Sequence, residues 1–152
     1  MPGPADYVAW SPTGNKLAVS LTPDHINTEI YTVNVNGSDL KQLTFTDGIN
    51  TSPSFSPHGR RIAFVSNMGG SPQIYVMNAN GGDIHRLTYS EGGYNTSPAW
   101  SPNGKKIAFS SFINGALEIC IMNTDGSDER QITDTPYSAN HPAWTRDSRI
   151  IS

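Results

Sequence analysis

Three asparagines recur at a constant spacing, and their side chains could bind a ligand. Asn50, Asn95 and Asn140 stand 45 residues apart, and His141 follows the third. Amide groups repeated around one opening would suit a peptide, a cation or a ring of water molecules. Asparagine also stabilises turns by hydrogen bonding to nearby backbone groups, and this structural role is the favoured interpretation. Asn50, Asn95, Asn140 and His141 nevertheless form the candidate binding site.

The acidic side chains raise the question of a metal site, since calcium prefers oxygen ligands. Seven of them lie in turn or loop sequences: Asp39, Asp47, Asp83, Glu91, Asp125, Asp128 and Asp134. No segment has the alternating aspartate spacing of a calcium loop, so turn capping and pairing with Arg86 or Arg130 are favoured. The histidines show no metal-ligand spacing either, and His58 takes a variable turn position that predicts exposure. We expect no metal and no cofactor.

The sequence gives little support for catalysis. It contains no G-x-S-x-G nucleophile elbow, and its N-G-S-D and D-G-S-D segments are typical of turns. No pair of carboxylates stands out from the repeated background in the way that glycoside hydrolysis would require. We therefore predict a protein that is not an enzyme.

The asparagines belong to a larger repeat that predicts four short strands in each copy. An aromatic residue is followed by Ser-Pro-x-Gly in three copies, and a fourth copy reads Trp-Thr-Arg-Asp-Ser. Proline sets φ for the first turn corner, and the glycines Gly14, Gly59 and Gly104 can take positive φ. Asn36-Gly37, Asn80-Gly81 and Asp125-Gly126 resemble two-residue type I′ hairpin turns. The intervening segments are rich in β-branched and aromatic residues, as strands are.

Four strands in a period near 45 residues are typical of a β-propeller, in which each copy forms one blade. The predicted fold is all-β, a propeller segment with three full four-stranded antiparallel blades and part of a fourth. We expect blade 1 at about 6–45, blade 2 at about 51–89, blade 3 at about 96–134 and the partial blade at about 140–152. The inner strand of each blade would then line a central channel, with the candidate site at its mouth. The aromatic residues Trp10, Phe55, Trp100 and Trp144 would pack between blades, and Cys120 would be a buried structural thiol.

Charge and hydropathy exclude some classes of partner. The formal net charge of −3 argues against nucleic acid, which favours a basic surface. No apolar run approaches the roughly 18 residues of a transmembrane helix, so membrane insertion is not expected. The N-terminal residues lack the basic and apolar regions of a signal peptide.

The repeat resembles that of the TolB β-propeller domain and its relatives. The resemblance rests on N-T-S-P-A-W-S-P-N-G-K-K-I-A-F, then E-I-C-I-M-N-T-D-G, then R-Q-I-T, and it extends from about Tyr7 to Ile151. The first copy departs from the pattern, with Ala5 and Val8 where other copies have asparagine and proline. The resemblance implies a six-bladed scaffold for protein partners in the bacterial periplasm, where TolB binds a peptidoglycan-associated lipoprotein and other envelope proteins.

Related repeats also form the propellers of prolyl-oligopeptidase-type serine peptidases, and a small-ligand-binding propeller is a third alternative. Three blades and part of a fourth do not close a six-bladed ring. Either the chain is a segment of a longer propeller, or two copies associate as a homodimer that completes the ring. The expected partner in every case except the small-ligand alternative is a protein or peptide.

Overall fold

The chain folds into a row of antiparallel β-sheets, described by a computed structural model for residues 5–90 and 93–151. In each of three four-stranded blades the strands lie side by side in sequence order. Blade 1 contains β1 (Ala5–Trp10), β2 (Lys16–Leu21), β3 (Glu29–Asn34) and β4 (Lys41–Gln42). Blade 2 contains β5 (Asn50–Phe55), β6 (Arg61–Ser66), β7 (Gln73–Asn78) and β8 (His85–Arg86). Blade 3 contains β9 (Asn95–Trp100), β10 (Lys106–Ile113), β11 (Ala116–Asn123) and β12 (Arg130–Gln131).

A fourth, two-stranded unit follows blade 3 and consists of β13 (Ala143–Trp144) and β14 (Ile150–Ile151). The prediction of a propeller segment with three full blades and part of a fourth is therefore confirmed. The outermost strand of each full blade has only two residues, which leaves little free edge for pairing with another chain. In the part of the chain that the structure describes, no helix is long and apolar enough to cross a membrane.

The blades stack face to face, and their central strands are apolar on both sides for that reason. Ile62 and Phe64 of β6 face blade 1, whereas Ala63 and Val65 of the same strand face blade 3. One core cluster joins blades 1 and 2: Ala18, Ile30, Leu43, Ile62, Phe64, Tyr75 and Met77. A second joins blades 2 and 3: Ala63, Val65, Ile74, Val76, Leu87, Ile107, Phe109, Cys120 and Met122. Two-sided burial explains why the strand sequences show no alternation of polar and apolar residues.

The aromatic residue that ends each inner strand packs back onto the preceding blade. Phe55 packs on the first cluster and Trp100 on the second, as predicted. Trp144 Nε1 donates a hydrogen bond of 2.9 Å to Ala99 O of blade 3. Trp10 is 64% exposed, so its predicted core position is wrong for the described residues. Its equivalents Phe55 and Trp100 each pack on the preceding blade, and no described residue covers the corresponding face of blade 1.

Cys120 is buried in the second cluster, as expected. Burial raises the pKa of its thiol to about 11, and the carboxylates Glu129 and Glu118 add to the effect. The thiol is therefore protonated at neutral pH, and the side chain acts as a small apolar group in the core.

The turns at one end of the blades agree only partly with the sequence prediction. Gly14, Gly59 and Gly104 have the expected positive φ, between 68° and 71°. The predicted type I′ turns are wrong. Gly37 has a φ of 85° and its N–H donates to Asn34 O, while Asn36 has no positive φ. The geometry is that of a type I turn followed by one left-handed residue, the usual three-residue hairpin loop.

Antiparallel pairing places all connections at two opposite ends of the blades. The turns within strand pairs one–two and three–four form the turn end: 11–15, 35–40, 56–60, 79–84, 101–105, 124–129 and 145–149. The remaining connections form the loop end: 22–28, 43–49, 67–72, 87–90, 93–94, 114–115 and 132–142. The candidate site must lie at the loop end, since each inner strand begins there.

Substitution of Gly81 can test how closely blades 1 and 2 pack at their turns. A Cβ at Gly81 would lie 2.9 Å from Leu43 O of blade 1, whereas one at Gly37 meets nothing within 4 Å. Both residues have positive φ, so both substitutions to alanine carry the same left-handed strain of about 1 kcal/mol. Gly81→Ala should lower the free energy of unfolding by a further 1–3 kcal/mol or so because of overpacking. Equal losses for Gly81→Ala and Gly37→Ala in urea unfolding would contradict this blade contact.

Candidate functional site

Asn50 is fully buried at the start of β5. Its Nδ2 donates to Thr46 Oγ1 at 2.6 Å, to Glu29 Oε2 at 3.0 Å and to Thr28 O at 3.2 Å. Glu29 and Thr28 belong to blade 1 or its loop, and Thr46 lies on the connection between the blades. The side chain therefore fastens the inner strand of blade 2 to the third strand of blade 1.

Asn95 repeats this arrangement between blades 2 and 3. Its Nδ2 donates to Gln73 Oε1 at 2.8 Å and to Ser90 Oγ at 2.6 Å, and the side chain is fully buried. The Oδ1 atoms of Asn50 and Asn95 accept no hydrogen bond from the described residues. Both amides are fully buried at the junctions between blades and do not line the central concavity. This supports the structural role that the sequence favoured.

A threonine hydroxyl completes each junction. Thr44, Thr88 and Thr133 accept hydrogen bonds from the backbone N–H groups of Ile30, Ile74 and Ile119, at 2.8–2.9 Å. The same hydroxyls donate to the side chains of Glu29, Gln73 and Glu118, respectively. We call these groups the polar joints: Glu29, Thr44, Thr46 and Asn50 form the first, and Gln73, Thr88, Ser90 and Asn95 the second.

Sequence reasoning missed the acidic, amide and threonine members of the polar joints. Their signal was present, because an acidic or amide residue, Glu29, Gln73 or Glu118, stands at the same position of the third strand in every full copy. The threonine likewise follows Leu43, Leu87 and Ile132 in every full copy.

The fourth copy does not contain the equivalent asparagine. Asn50 N donates to Thr28 O and Asn95 N to Pro72 O, and the matching bond after blade 3 runs from Ala139 N to Leu117 O. Ala139 therefore occupies the repeat position, and the alignment that equated Asn140 with the other two is corrected. Pro142 follows Pro98 by 44 residues, whereas Pro98 follows Pro53 by 45, so Asn140, 45 residues after Asn95, falls one residue past the equivalent position. Asn140 is exposed, and its Oδ1 accepts from Ser110 Oγ at 2.8 Å.

The central concavity is lined by a different repeat position, one residue before the proline. Tyr7, Ser52, Ser97 and His141 line it together with the residues that follow them: Val8, Pro53, Pro98 and Pro142. Its volume is about 160 Å³. Ser52, Ser97 and His141 have φ between 52° and 55°, and the pairing of β5 with β6 is irregular at this point. Proline has no N–H for the strand ladder, so the backbone bulges towards the centre and presents these side chains there.

His141 is therefore the one predicted site residue that lines the concavity. The tyrosine and serines at the matching positions were missed, although the bulge-forming Ser-Pro pairs were visible in the sequence. In the described part of the chain, no hydrogen bond joins the His141 ring to a serine hydroxyl or a carboxylate. Among the same residues, no three His, Cys, Asp or Glu side chains converge as metal ligands would.

Charge is divided unequally between the two ends. Nine of the ten Lys and Arg residues lie in or beside the turn-end segments, and Arg86 is the exception. Of the turn-end aspartates, Asp39 is paired with Lys16 and Asp128 with Lys106, both at 3.1 Å, and Asp147 is paired with Arg149 at 2.7 Å. The predicted pairing with Arg86 or Arg130 is thus replaced by pairing with lysines from the second strand. The exposed aspartates Asp24, Asp47 and Asp134 lie at the loop end, which is consequently acidic.

The loop end also carries most of the exposed aromatic side chains. Those of the described residues are Phe45, Tyr89, Tyr94, Phe112 and Tyr137, and Ile26 and Ile49 lie among them. Large exposed apolar groups rimmed by polar ones are typical of protein interaction surfaces. An open β-propeller segment with an acidic, aromatic loop end is thus the class of protein that the structure defines.

Comparison with known proteins gives the family. The family model of the TolB beta propeller domain matches residues 2–152, and the chain belongs to this family. The structure of TolB from Acinetobacter baumannii superposes with a TM-score of 0.85 at 25% identity, covering 97% of this chain and 37% of that one.

Two curated relatives match shorter stretches. Dipeptidyl-peptidase 5 from Porphyromonas gingivalis is 38% identical over 71 residues, which cover 43% of this chain. The Tol-Pal system protein TolB from Bordetella pertussis is 44% identical over 46 residues, covering 30% of this chain. Each match spans 10% of the relative's own length.

The asparagines can be tested directly for their structural role. Asn95→Ala removes both donor bonds of a buried amide and leaves Gln73 Oε1 with one partner fewer, so we expect a loss of about 2–3 kcal/mol in the free energy of unfolding. Asn140→Ala is the matched control; its exposed side chain accepts one bond from the Ser110 hydroxyl, so we expect a loss of about 1 kcal/mol or less. Urea unfolding of both variants measures the difference. Similar losses for the two would contradict the register assigned to the fourth copy.

Proposed function

We propose that this chain is a non-enzymatic propeller segment that binds a protein partner at its loop end, as an interaction scaffold. The observation that carries the proposal is the coincidence of three features at one end. The central concavity opens there, most exposed aromatic residues lie there, and the backbone bulges hold Ser97 and His141 towards the centre. Such a surface offers shape, apolar area and a few polar groups, which is what protein recognition requires.

The concavity has the components of a binding surface rather than of a reaction centre. A serine nucleophile needs a base within hydrogen-bond reach and a third group that orients the base. Ser97 and His141 share the concavity, but among the described residues the hydrogen bond at His141 runs from its backbone N–H to Asn140 Oδ1 and does not involve the ring. The serines instead stand at bulges of the inner strands, where their positive φ turns the backbone towards the concavity.

The resemblance to TolB supports a location in the periplasm and a partner of the bacterial envelope. Similarity to the Tol-Pal system protein TolB from Bordetella pertussis is the observation behind this part of the proposal. A second candidate follows from the match to dipeptidyl-peptidase 5. On that alternative the propeller would guide peptides towards a serine peptidase domain of the same polypeptide.

Photo-crosslinking tests the proposed binding end. His141→p-benzoylphenylalanine places a crosslinker at the concavity, and His58→p-benzoylphenylalanine places one on an exposed turn at the other end. We expect crosslinks to an intact envelope protein from position 141 and none above background from position 58. Recovery of short peptides alone would favour the peptidase propeller. Equal yields from both positions would contradict binding at the loop end.

We also propose that blade 1 is covered by another blade, which a second copy of this chain supplies when the 152-residue polypeptide is studied alone. The support is the exposure of Val8 and Trp10, at positions whose equivalents in blades 2 and 3 pack on a neighbour. Light scattering at micromolar concentration should give twice the chain mass of 16.5 kDa. Trp10→Gln should shift the population towards monomer, and Tyr89→Gln should not. A stable, folded wild-type monomer would reject the homodimer.

A further inference from the structure

Blade 2 contains an arginine that stacks on an aromatic ring within the chain. Arg86 ends β8, and its Nε donates to Thr88 O at 2.5 Å. The guanidinium carbon then lies 4.7 Å from the centroid of the Tyr89 ring. Stacking of a cation on an aromatic face is attractive, so this repeat position is built to accept a guanidinium group.

Blade 1 has the same aromatic platform without the arginine. Gln42 pairs with Tyr31 as Arg86 pairs with Tyr75, and Phe45 stands where Tyr89 stands. Gln42 Nε2 makes the equivalent backbone bond, to Thr44 O at 2.8 Å, but its amide carries no charge. Phe45 is 77% exposed.

An acidic cleft adjoins the Phe45 ring. It has a volume of about 430 Å³, and Asp24, Tyr31, Gln42, Phe45 and Asp47 are among its lining residues. Asp24 accepts hydrogen bonds from Ile26 N at 3.0 Å and Asn27 N at 2.8 Å. These bonds hold the pKa of Asp24 below its usual range, so that the carboxylate is charged at neutral pH. A cation entering the cleft would meet aspartate oxygens as well as the ring.

An apolar groove also adjoins the Phe45 side chain. Leu43, Phe45, Met68 and Ile84 contribute its apolar lining, and its volume is about 690 Å³. The groove shares Gln42, Phe45 and Thr46 with the acidic cleft. The two depressions therefore adjoin at Phe45 and extend from blade 1 to the junction with blade 2, where Met68 and Ile84 lie and Lys41 contributes one basic side chain.

We propose that this surface docks an extended segment of a partner protein, with an arginine in the acidic cleft and a neighbouring apolar side chain in the groove. Arginine fits better than lysine because its planar guanidinium can stack on Phe45 while its N–H groups pair with carboxylates. The inference rests on the proposed function, since it takes the partner to be a protein. It adds the chemistry of the segment that the partner presents.

The proposal is specific to blade 1 among the three full blades. In blade 2 the chain's own Arg86 stacks on the Tyr89 ring. In blade 3 the residue equivalent to Phe45 is Asp134, which is not aromatic. Charge complementarity agrees, because the loop end is acidic and nine of the ten basic residues lie towards the other end. A basic partner segment would thus be attracted to the loop end as a whole before it reaches the cleft.

A pair of peptides tests the cation requirement on the full chain. The probe is acetyl-Gly-Arg-Gly-Leu-Gly-amide, and the control replaces arginine by the neutral isostere citrulline. In amide chemical-shift titrations we expect the arginine peptide to shift Asp24, Phe45 and Asp47 and to bind about five-fold or more tightly than the citrulline peptide. Equal affinity of the two peptides, or shifts confined to other residues, would overturn the proposal.

Gln42→Arg provides the sharpest variant. It recreates the arrangement of blade 2, so the chain's own guanidinium should cover Phe45 and abolish the response to the arginine peptide. Gln131→Arg adds the same charge at the same repeat position of blade 3, and should leave binding unchanged. Phe45→Leu should weaken binding and remains informative if Gln42→Arg fails to fold. Wild-type affinity in either blade 1 variant would contradict the site.

The two proposals can fail separately. His141→Ala should leave the peptide affinity unchanged, because the cleft and the central concavity have no lining residue in common. Loss of crosslinking at position 141 with retained peptide binding would remove the concavity from the proposed function. Crosslinking at position 141 with no discrimination between the two peptides would remove the arginine site and leave the scaffold proposal standing.

Discussion

The stacking of one sheet on the next is the interaction on which the rest of this structure depends. A four-stranded blade here is apolar on both faces, as Ile62 and Ala63 show by facing opposite neighbours. Covering one large apolar side chain contributes about 1.5–3 kcal/mol relative to exposure, and each junction buries several such side chains. No blade could bury both faces alone, so stability accumulates through contacts between neighbours. Turns and edge strands shape the blades, but burial between the sheets holds them in a row.

Apolar faces alone would not fix how one sheet lies on another. The hydrogen bonds of the polar joints determine the relative position of neighbouring blades. Hydrogen bonds weaken steeply when their geometry is poor, so a buried amide that bonds two elements at once restricts their relative position. Glu29 is buried, and its carboxyl group accepts hydrogen bonds from Thr44, Thr46 and Asn50. Gln73 fills the same place in the next blade without a charge. The geometry of the joint is therefore conserved between blades while its charge is not, and hydrogen bonding rather than charge accounts for its repetition.

The sequence allowed the blades, their strand order and the glycine conformations to be predicted, because those follow from local chemistry repeated three times. It predicted the candidate site less well, since that depends on register and on contacts between blades. A constant spacing suggested that Asn140 matches Asn95, but a one-residue deletion before Pro142 gives that place to Ala139. The partners of Asp39 and Asp128 come from the second strand of the same sheet, which a reading of adjacent residues could not supply. The concavity residues were harder to find because Tyr7, Ser52, Ser97 and His141 occupy one repeat position with three different residue types.

The difference between repeat positions with constant and with variable side chains indicates where recognition resides in a repeat protein. A position that keeps one residue type in every blade, such as the joint threonine, serves the architecture common to all blades. A position whose backbone is constant while its side chain changes is free to acquire a separate role in each blade. The pair formed by Gln42 and Arg86 is such a position: both side chains bond the carbonyl two residues later, and only one carries a cation to the neighbouring ring. Blade 1 has the aromatic ring of Phe45 next to Asp24 and Asp47 but has Gln42 in place of an arginine. Its surface can therefore accept the arginine of a partner protein.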